Sequence, residues 1–395
     1  MAIKLSAKLA QVKPSPTMAV TALAADLRAQ GRDVIGLGAG EPDFDTPAHI
    51  KQAAIEAINN GETKYTAVDG IVPLKEAIID KFKGDNGLSY EKGEILVSCG
   101  GKQSFYNLAQ AVLDVGDEVV IPAPYWVSYP DIVLLAGATP VFVQTSQTDA
   151  FKITPEQLDQ AITPATRMIV INSPSNPSGK SYTRDELTAL GEVLKRYPDV
   201  IIATDDMYEH IVWADHGFCN IVNACPGLHD RTVVLNGVSK AYAMTGWRIG
   251  YAGGPEPVIA AMRKIQSQST SNPTSVSQWA STAALTGGKD CIAEMLTAFE
   301  QRHNFVVKSL NEMNGVDCIE GDGTFYAFPN VQAAIDANND TSNDVEFSSW
   351  VLDKAGVAVV PGSAFGTEGH VRLSFATSME NLQKAMQRMG DLING

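Results

Sequence analysis

Lys240 and Arg248 lie in the run Gly-Val-Ser-Lys-Ala-Tyr-Ala-Met-Thr-Gly-Trp-Arg-Ile-Gly, residues 237–250. A primary amine can condense with an aldehyde to form an imine, and small neighbours leave room for a flat ring against the backbone. A planar guanidinium can grip a phosphate through two parallel hydrogen bonds. Pyridoxal phosphate combines an aldehyde, a ring and a phosphate, and it needs both groups. Taken alone, the run reads equally well as a solvated lysine at the end of a strand.

Four further places carry candidate chemistry. Gly100-Gly101-Lys102-Gln103 sits between a strand-like and a helix-like stretch, where the free amides of a helix start attract phosphate; a routine turn is the competing reading. Asn176, in the Pro-rich run Asn172–Gly179, could donate to a phenolic oxygen, or the run could be a plain turn. In Thr204-Asp205-Asp206-Met207-Tyr208 two carboxylates end a buried run, which calls for a partner or a helix to cap. A carboxylate facing a pyridine nitrogen keeps it protonated, so that the ring can accept electrons. Neighbouring strand residues point to opposite faces, so only one of Asp205 and Asp206 can serve. Arg372 interrupts the apolar run His370–Ala376, where it fits a two-pronged carboxylate or a structural ion pair.

These residues must be held by elements of a definite kind. Between about residues 94 and 254, short β-rich runs alternate with amphipathic helical stretches. Glu94–Ser98, Glu118–Ile121, Thr139–Val143, Met168–Ile171, Val200–Thr204 and Thr232–Asn236 read as strands, with helices over Lys102–Leu113 and near Val127–Leu135. Alternation of this kind implies an α/β unit with a mainly parallel sheet covered by helices, whose ligands collect beyond the carboxyl ends of the strands. The candidate residues follow those ends. Pro255 onward reads as helical, broken near Ser271-Asn-Pro-Thr and at Gly287-Gly288. Strand-like pieces at Phe325–Phe328, Val357–Val360 and Val371–Phe375 then suggest a second, smaller α/β domain joined by the N-terminal segment. The expected division is 1–45 for that segment, 46–288 for the large domain and 289–395 for the small one.

Composition narrows the function classes. The chain has 395 residues, 45% hydrophobic and 19% charged, an ordinary globular balance long enough for two cores. Its formal net charge of −15 disfavours a phosphate-backbone partner, so no nucleic acid is expected. Cys99, Cys219, Cys225, Cys291 and Cys318 are scattered, without Cys-x-x-Cys spacing, which fits a reduced cytoplasmic protein. The six histidines lack ligand spacing, so no metal is expected. Residues 1–30 lack a signal-peptide core, and no apolar segment is long enough to span a bilayer, so no membrane association is expected.

Taken in order, Gly40-Glu-Pro-Asp-Phe44, Lys64-Tyr65, Gly100-Gly-Lys-Gln103, Tyr125-Trp126, Asn176-Pro177, Asp205-x-x-Tyr208, Ser239-Lys240 and Arg372 resemble the class I aminotransferases along the full chain. Lys13-Pro-Ser-Pro-Thr17, Pro124-Tyr-Trp-Val-Ser-Tyr129 and Ala243–Gly250 resemble the bacterial aspartate aminotransferase subgroup that lacks a mammalian-type distal arginine, some members of which also use prephenate. The resemblance implies the fold type I architecture of pyridoxal-phosphate-dependent transferases, with a mainly parallel seven-stranded sheet in the large domain and a smaller α/β domain. It implies that Lys240 carries pyridoxal 5'-phosphate as an imine, that Asp205 pairs with the pyridine nitrogen, and that Tyr208 and Asn176 bond the phenolic oxygen. Trp126 would stack on the ring, and Arg248 with the Gly101 and Lys102 amides would hold the phosphate. Tyr65 would reach that phosphate from a neighbouring subunit, making a homodimer with shared sites. Arg372, Asn176 and the Gly40 backbone would clamp the substrate α-carboxylate. Lys102 and Thr17 would face the side-chain carboxylate, with Trp126 beside them, and Lys13 matches the position associated with prephenate.

Three departures stand out. Thr-Asp-Asp-Met-Tyr replaces the usual Ser-Asp-Glu-Ile-Tyr, Asn-Pro-Ser-Gly replaces Asn-Pro-Thr-Gly, and Gly237 stands where many relatives carry a hydroxyl. The implied activity is transfer of the amino group of aspartate to 2-oxoglutarate in two half-reactions. Alternatives are a bifunctional aspartate/glutamate–prephenate or an aromatic aminotransferase, a β-eliminating lyase on the same scaffold, and a pyridoxal-binding regulator, which would need a DNA-binding module that the chain has no spare length to hold.

Overall fold

All six apolar runs singled out between residues 94 and 236 become strands of one sheet in the computed structural model, which describes residues 3–395. The strands in chain order are β1 (Ile35–Gly36), β2 (Ile95–Ser98), β3 (Glu118–Ala123), β4 (Thr139–Gln144), β5 (Thr166–Asn172), β6 (Ile201–Asp205), β7 (Thr232–Gly237), β8 (Gly250–Gly253), β9 (Tyr326–Ala327), β10 (Val357–Ala358), β11 (Val360–Pro361) and β12 (Val371–Ser374). The large sheet has seven strands in the order β2-β8-β7-β6-β5-β3-β4. Only β8 runs against its neighbours, antiparallel to both β2 and β7. This is the α/β architecture of the fold type I transferases.

Strand periodicity divides the sheet's side chains between two layers. Val97, Val120, Ile169, Ile171, Ile202 and Val234 enter one apolar core, which also takes Ile50, Leu74, Leu190 and Ala280 from the helices Ala48–Asn59, Val72–Asn86, Arg184–Leu194 and Ser275–Thr286. Leu96, Val119, Ile121, Met168, Val170, Val233 and Leu235 face the other way, onto Phe105, Leu108, Ile132 and Met262 of the helices Gly101–Val112, Ser128–Ala136 and Glu256–Ser269. A sheet buried on both faces explains why its strands read as continuous apolar runs.

A third core lies in the C-terminal part. There the helices Asp290–Asn311, Asp344–Ala355 and Met379–Asn394 pack on β9, β10 and β12. The antiparallel set β11-β12-β9 brings Arg372 beside Tyr326, and β1 pairs in parallel with β10, Ile35 opposite Val357. The N-terminal chain is thereby tied to the C-terminal one, and it then passes over the sheet's carboxyl edge through Gly38 and Gly40. The expected helix breaks fall at 270–274 and 287–289. Among the described residues no helix is long and apolar enough to cross a membrane.

Candidate active site

β5, β6 and β7 end on one rim of the sheet, and the chain leaving them supplies Asn172 and Asn176, Asp205 and Tyr208, and Ser239 and Lys240. The helix Gly101–Val112 starts at the same rim after β2. Together with Gly40 from the N-terminal crossing and Arg372 from β12 they enclose a cavity of about 490 Å³. Eleven of the residues picked out from the sequence line it: Thr17, Gly40, Gly101, Lys102, Trp126, Asn176, Asp205, Tyr208, Lys240, Arg248 and Arg372. Lys13 and Tyr65 do not. Lys13 lines an adjoining cavity of about 540 Å³ that shares Ser15, Lys102 and Arg248 with the first. Tyr65 is 92% exposed on a single chain.

Lys240 is not a solvated lysine. Its Nζ donates to the Gly40 carbonyl and lies 5.8 Å from the Phe325 ring centroid. Burial, then the charge of Arg372, lower its pKa to about 8, against the opposing pull of Glu41 and Asp205. Of the two adjacent acids, Asp205 lines the cavity and Asp206 does not. Asp205 accepts from the Tyr129 hydroxyl at 2.6 Å and from the Met207 amide at 3.3 Å, and burial raises its pKa in spite of both. Asp206 is turned inward, accepting from the Thr204 hydroxyl at 2.6 Å and from the Asn220 amide.

Arg372 resolves another alternative. Arg372 is 2% exposed, yet among the described residues no carboxylate pairs with it; Nη1 donates to Asn176 Oδ1 at 2.9 Å, Nη2 to the Gly38 carbonyl at 2.7 Å, and Nε finds no acceptor. Its guanidinium lies over the rings of Tyr326, 4.4 Å from the centroid, and Phe365, at 4.8 Å. A desolvated cation without a counter-ion is a strong attractor for a small anion. Thr17 Oγ1, also on the cavity wall, is buried without a partner. Lys102 Nζ sits 5.2 Å from the Trp126 ring centroid, and burial followed by the charge of Arg248 lowers its pKa.

The phosphate candidates meet at the helix start. Gly101 and Lys102 begin the helix, so their amides have no acceptor within it. Gly100 has φ +90°, and a Cβ there would overlap the Arg248 guanidinium, so glycine lets the arginine lie against the turn. Arg248 donates to the Thr245 carbonyl at 2.8 Å, which fixes its direction. Gly237 lies under Met207 and the Gly250 backbone, where a Cβ would come within 3.1–3.2 Å of its neighbours.

A family model described as aminotransferase class I and II matches residues 32–389. The chain belongs to the class I and II aminotransferases. This aminotransferase is 61% identical to the aspartate/prephenate aminotransferase of Nitrosomonas europaea, over 99% of its own length and 100% of that protein's. It is 50% identical to the aspartate aminotransferase of Geobacillus stearothermophilus, over 98% of each chain. Among solved structures, the aspartate aminotransferase of Rhizobium meliloti superimposes with a TM-score of 0.95 at 47% identity, over 99% of both chains. That of Thermus thermophilus with maleate gives 0.93 at 42% identity, over 99% of this chain and 100% of that one.

Two residues of the cavity wall, Asn172 and Tyr326, and one behind it, Tyr129, were given no individual role by the sequence. Tyr129 holds Asp205, although 76 positions separate them. Asn172 orders the Asn176 turn, its Oδ1 accepting from the Asn176 amide at 2.9 Å. Tyr326 contacts Tyr208 and Arg372 but hides in an apolar strand-like run, where it reads as core.

Proposed function

We propose that this aminotransferase uses pyridoxal 5'-phosphate to move the amino group of L-aspartate to 2-oxoglutarate, giving oxaloacetate and L-glutamate. The observation that carries the reading is the convergence of a half-buried amine, a half-buried carboxylate, free helix-start amides beside a guanidinium, and a buried arginine without a carboxylate partner on one cavity. The donor set fits the cofactor. Lys240 would anchor its aldehyde, Asp205 its pyridine nitrogen, Tyr208 and Asn176 its phenolic oxygen, and Trp126 its ring face, while Arg248 and the Gly101 and Lys102 amides would hold its phosphate. When bound, pyridoxal phosphate supplies an electrophilic carbon and an electron-accepting ring.

The chain's own part is to bind, orient and move one proton. Arg372, with Asn176 and the Gly40 backbone, would take the α-carboxylate, and Lys102 with the Thr17 hydroxyl would take the distal one. Two fixed carboxylates leave one orientation for the α-hydrogen, toward Lys240 Nζ. A lysine pKa of about 8 leaves a useful neutral fraction near physiological pH, so Nζ can accept that proton and return it one carbon away. Asp205, held by Tyr129, would supply the negative charge that pairs with the ring nitrogen.

Tyr65 is read as the partner subunit's contribution, which makes the unit a homodimer with shared sites. Its exposure on a single chain is what such a role requires. The five free cysteines suit the cytoplasm. The division at residues 45 and 288 follows the crossing of the N-terminal chain and the break before the helix Asp290–Asn311. Lys13, in the cavity that adjoins Lys102, favours a second reading in which prephenate is also accepted.

The test is a set of half-reactions. The cofactor-loaded protein is mixed separately with aspartate, glutamate, an aromatic amino acid, and prephenate plus glutamate, and the cofactor spectrum is followed. Conversion by aspartate and glutamate well ahead of the aromatic acid is expected. Failure of both dicarboxylates to convert the spectrum would overturn the assignment, and regeneration by prephenate would establish the second reading.

A further inference from the structure

Tyr326 touches both halves of the proposed chemistry. It stands on β9, opposite Ser374 of β12, and is 1% exposed. Its hydroxyl lies 2.9 Å from the Tyr208 hydroxyl, with the two rings crossed at 76°. Its ring face lies 4.4 Å from the Arg372 guanidinium. The approach is tight enough that a Cβ on Gly40 would fall 2.8 Å from the Tyr326 oxygen, so the N-terminal crossing needs glycine there to let the hydroxyl through.

Two hydroxyls that share one hydrogen bond must divide the roles, one donating and one accepting. Tyr326 has no other acceptor among the described residues, so a buried proton would go unpaired unless it is given to Tyr208. Tyr208 has the open cavity as an alternative direction for its own proton. Burial raises both phenols, so both hydroxyls keep their protons. Tyr326, whose proton has no other acceptor, is therefore the donor of the pair.

We propose that Tyr326 is a positioning residue with two separable duties: its hydroxyl donates to Tyr208 and so turns the Tyr208 O–H toward the cavity, and its ring backs the Arg372 guanidinium that takes the substrate carboxylate. The proposal rests on the reading above, in which Tyr208 meets the cofactor's phenolic oxygen and Arg372 the α-carboxylate. A donor chain polarises along its length, so losing the first link weakens the second. The ring's contribution is separate, because a cation over an aromatic face needs no hydroxyl.

Two variants divide these duties on the cofactor-loaded enzyme. In Tyr326→Phe the ring stays and the donor goes. A weaker Tyr208 bond stabilises the deprotonated cofactor oxygen less, so the pH midpoint of the cofactor's visible absorbance should rise by roughly half a unit, with maleate binding unchanged within twofold. In Tyr326→Leu the ring is lost as well. The Kd for maleate, an unreactive dicarboxylate, and the KM for aspartate should both rise about tenfold. Tyr208→Phe is measured alongside. A midpoint that moves in Tyr208→Phe but not in Tyr326→Phe would overturn the hydroxyl duty and leave the reading of the site intact. A midpoint unmoved in both would sink the reading of Tyr208 itself. Equal maleate affinity in Tyr326→Leu and the parent would overturn the ring's duty.

Discussion

At the scale of single residues, the proposed site depends on a few placed charges. In the proposed function Lys102 meets the second carboxylate. A charge-assisted hydrogen bond contributes roughly 1.5–3 kcal/mol, so Lys102→Ala should cut the kcat/KM ratio of aspartate over alanine by roughly 10- to 100-fold. An unchanged ratio would show that the distal carboxylate binds elsewhere. Lys240 stores a cost. Its folded pKa of about 8 lies below the ordinary lysine value of 10.5, so the unfolded chain binds its proton more tightly and folding carries a penalty, complete below pH 8. That penalty fades as pH rises toward 10.5. With the cofactor removed, Lys240→Met should therefore be more stable than the parent at pH 7, by up to about 3 kcal/mol. The gap should narrow across pH 8–10.5 in denaturant titrations.

At the scale of elements, the end of β6 does two opposite jobs with adjacent acids. Asp205→Ala should lower kcat on the order of 100-fold or more, since a fixed charge aimed at the reacting ring is lost. Asp206→Asn should keep activity, because an amide can still accept from Asn220 and donate to Thr204. Burial, the largest influence, raises Asp206 to about 7, so its proton is held more tightly in the folded chain and stability is lost as pH rises from about 4 to 7. The Asn variant should escape that loss, and its thermal stability advantage should grow over that interval. The two acids were distinguishable as alternatives from the sequence, by strand periodicity alone; which one faces the ligand depended on the register of β6 against β5 and β7. The same limit applies elsewhere. Runs of Val, Ile and Leu betrayed β5, β6 and β7, whereas β8 is Gly-Tyr-Ala-Gly, whose small residues carry no β signal and serve close packing against Gly101 and Gly237. The two-residue β1 exists only because β10 receives it. Tyr326 was masked by its own apolar surroundings.

At the scale of the whole molecule, the residues that bind and the residues that react come from parts of the chain far apart in sequence. Arg372 and Tyr326 belong to the C-terminal sheet, Lys240 and Asp205 to the large one, and Gly40 to the segment that links them. The proposed homodimer would extend this division beyond a single chain through Tyr65. If sites are shared, a chain lacking Lys240 can still lend its Tyr65 to a partner. Mixing Lys240→Ala with Tyr65→Ala, then unfolding and refolding the mixture, should produce hybrid dimers with one complete site each. Activity should exceed that of either variant alone and approach about a quarter of the parent value for random pairing. A mixture no more active than the average of its components would mean that each chain builds its site alone.

The central claim is that the Lys240 amine bonds covalently to the aldehyde of vitamin B6 phosphate. Borohydride reduction of the cofactor-loaded protein, followed by peptide mapping, reads that bond directly. The pyridoxyl group should appear on the peptide that contains Lys240 and nowhere else in stoichiometric amount. A stoichiometric label on another lysine, with Lys240 unmodified, would contradict the account.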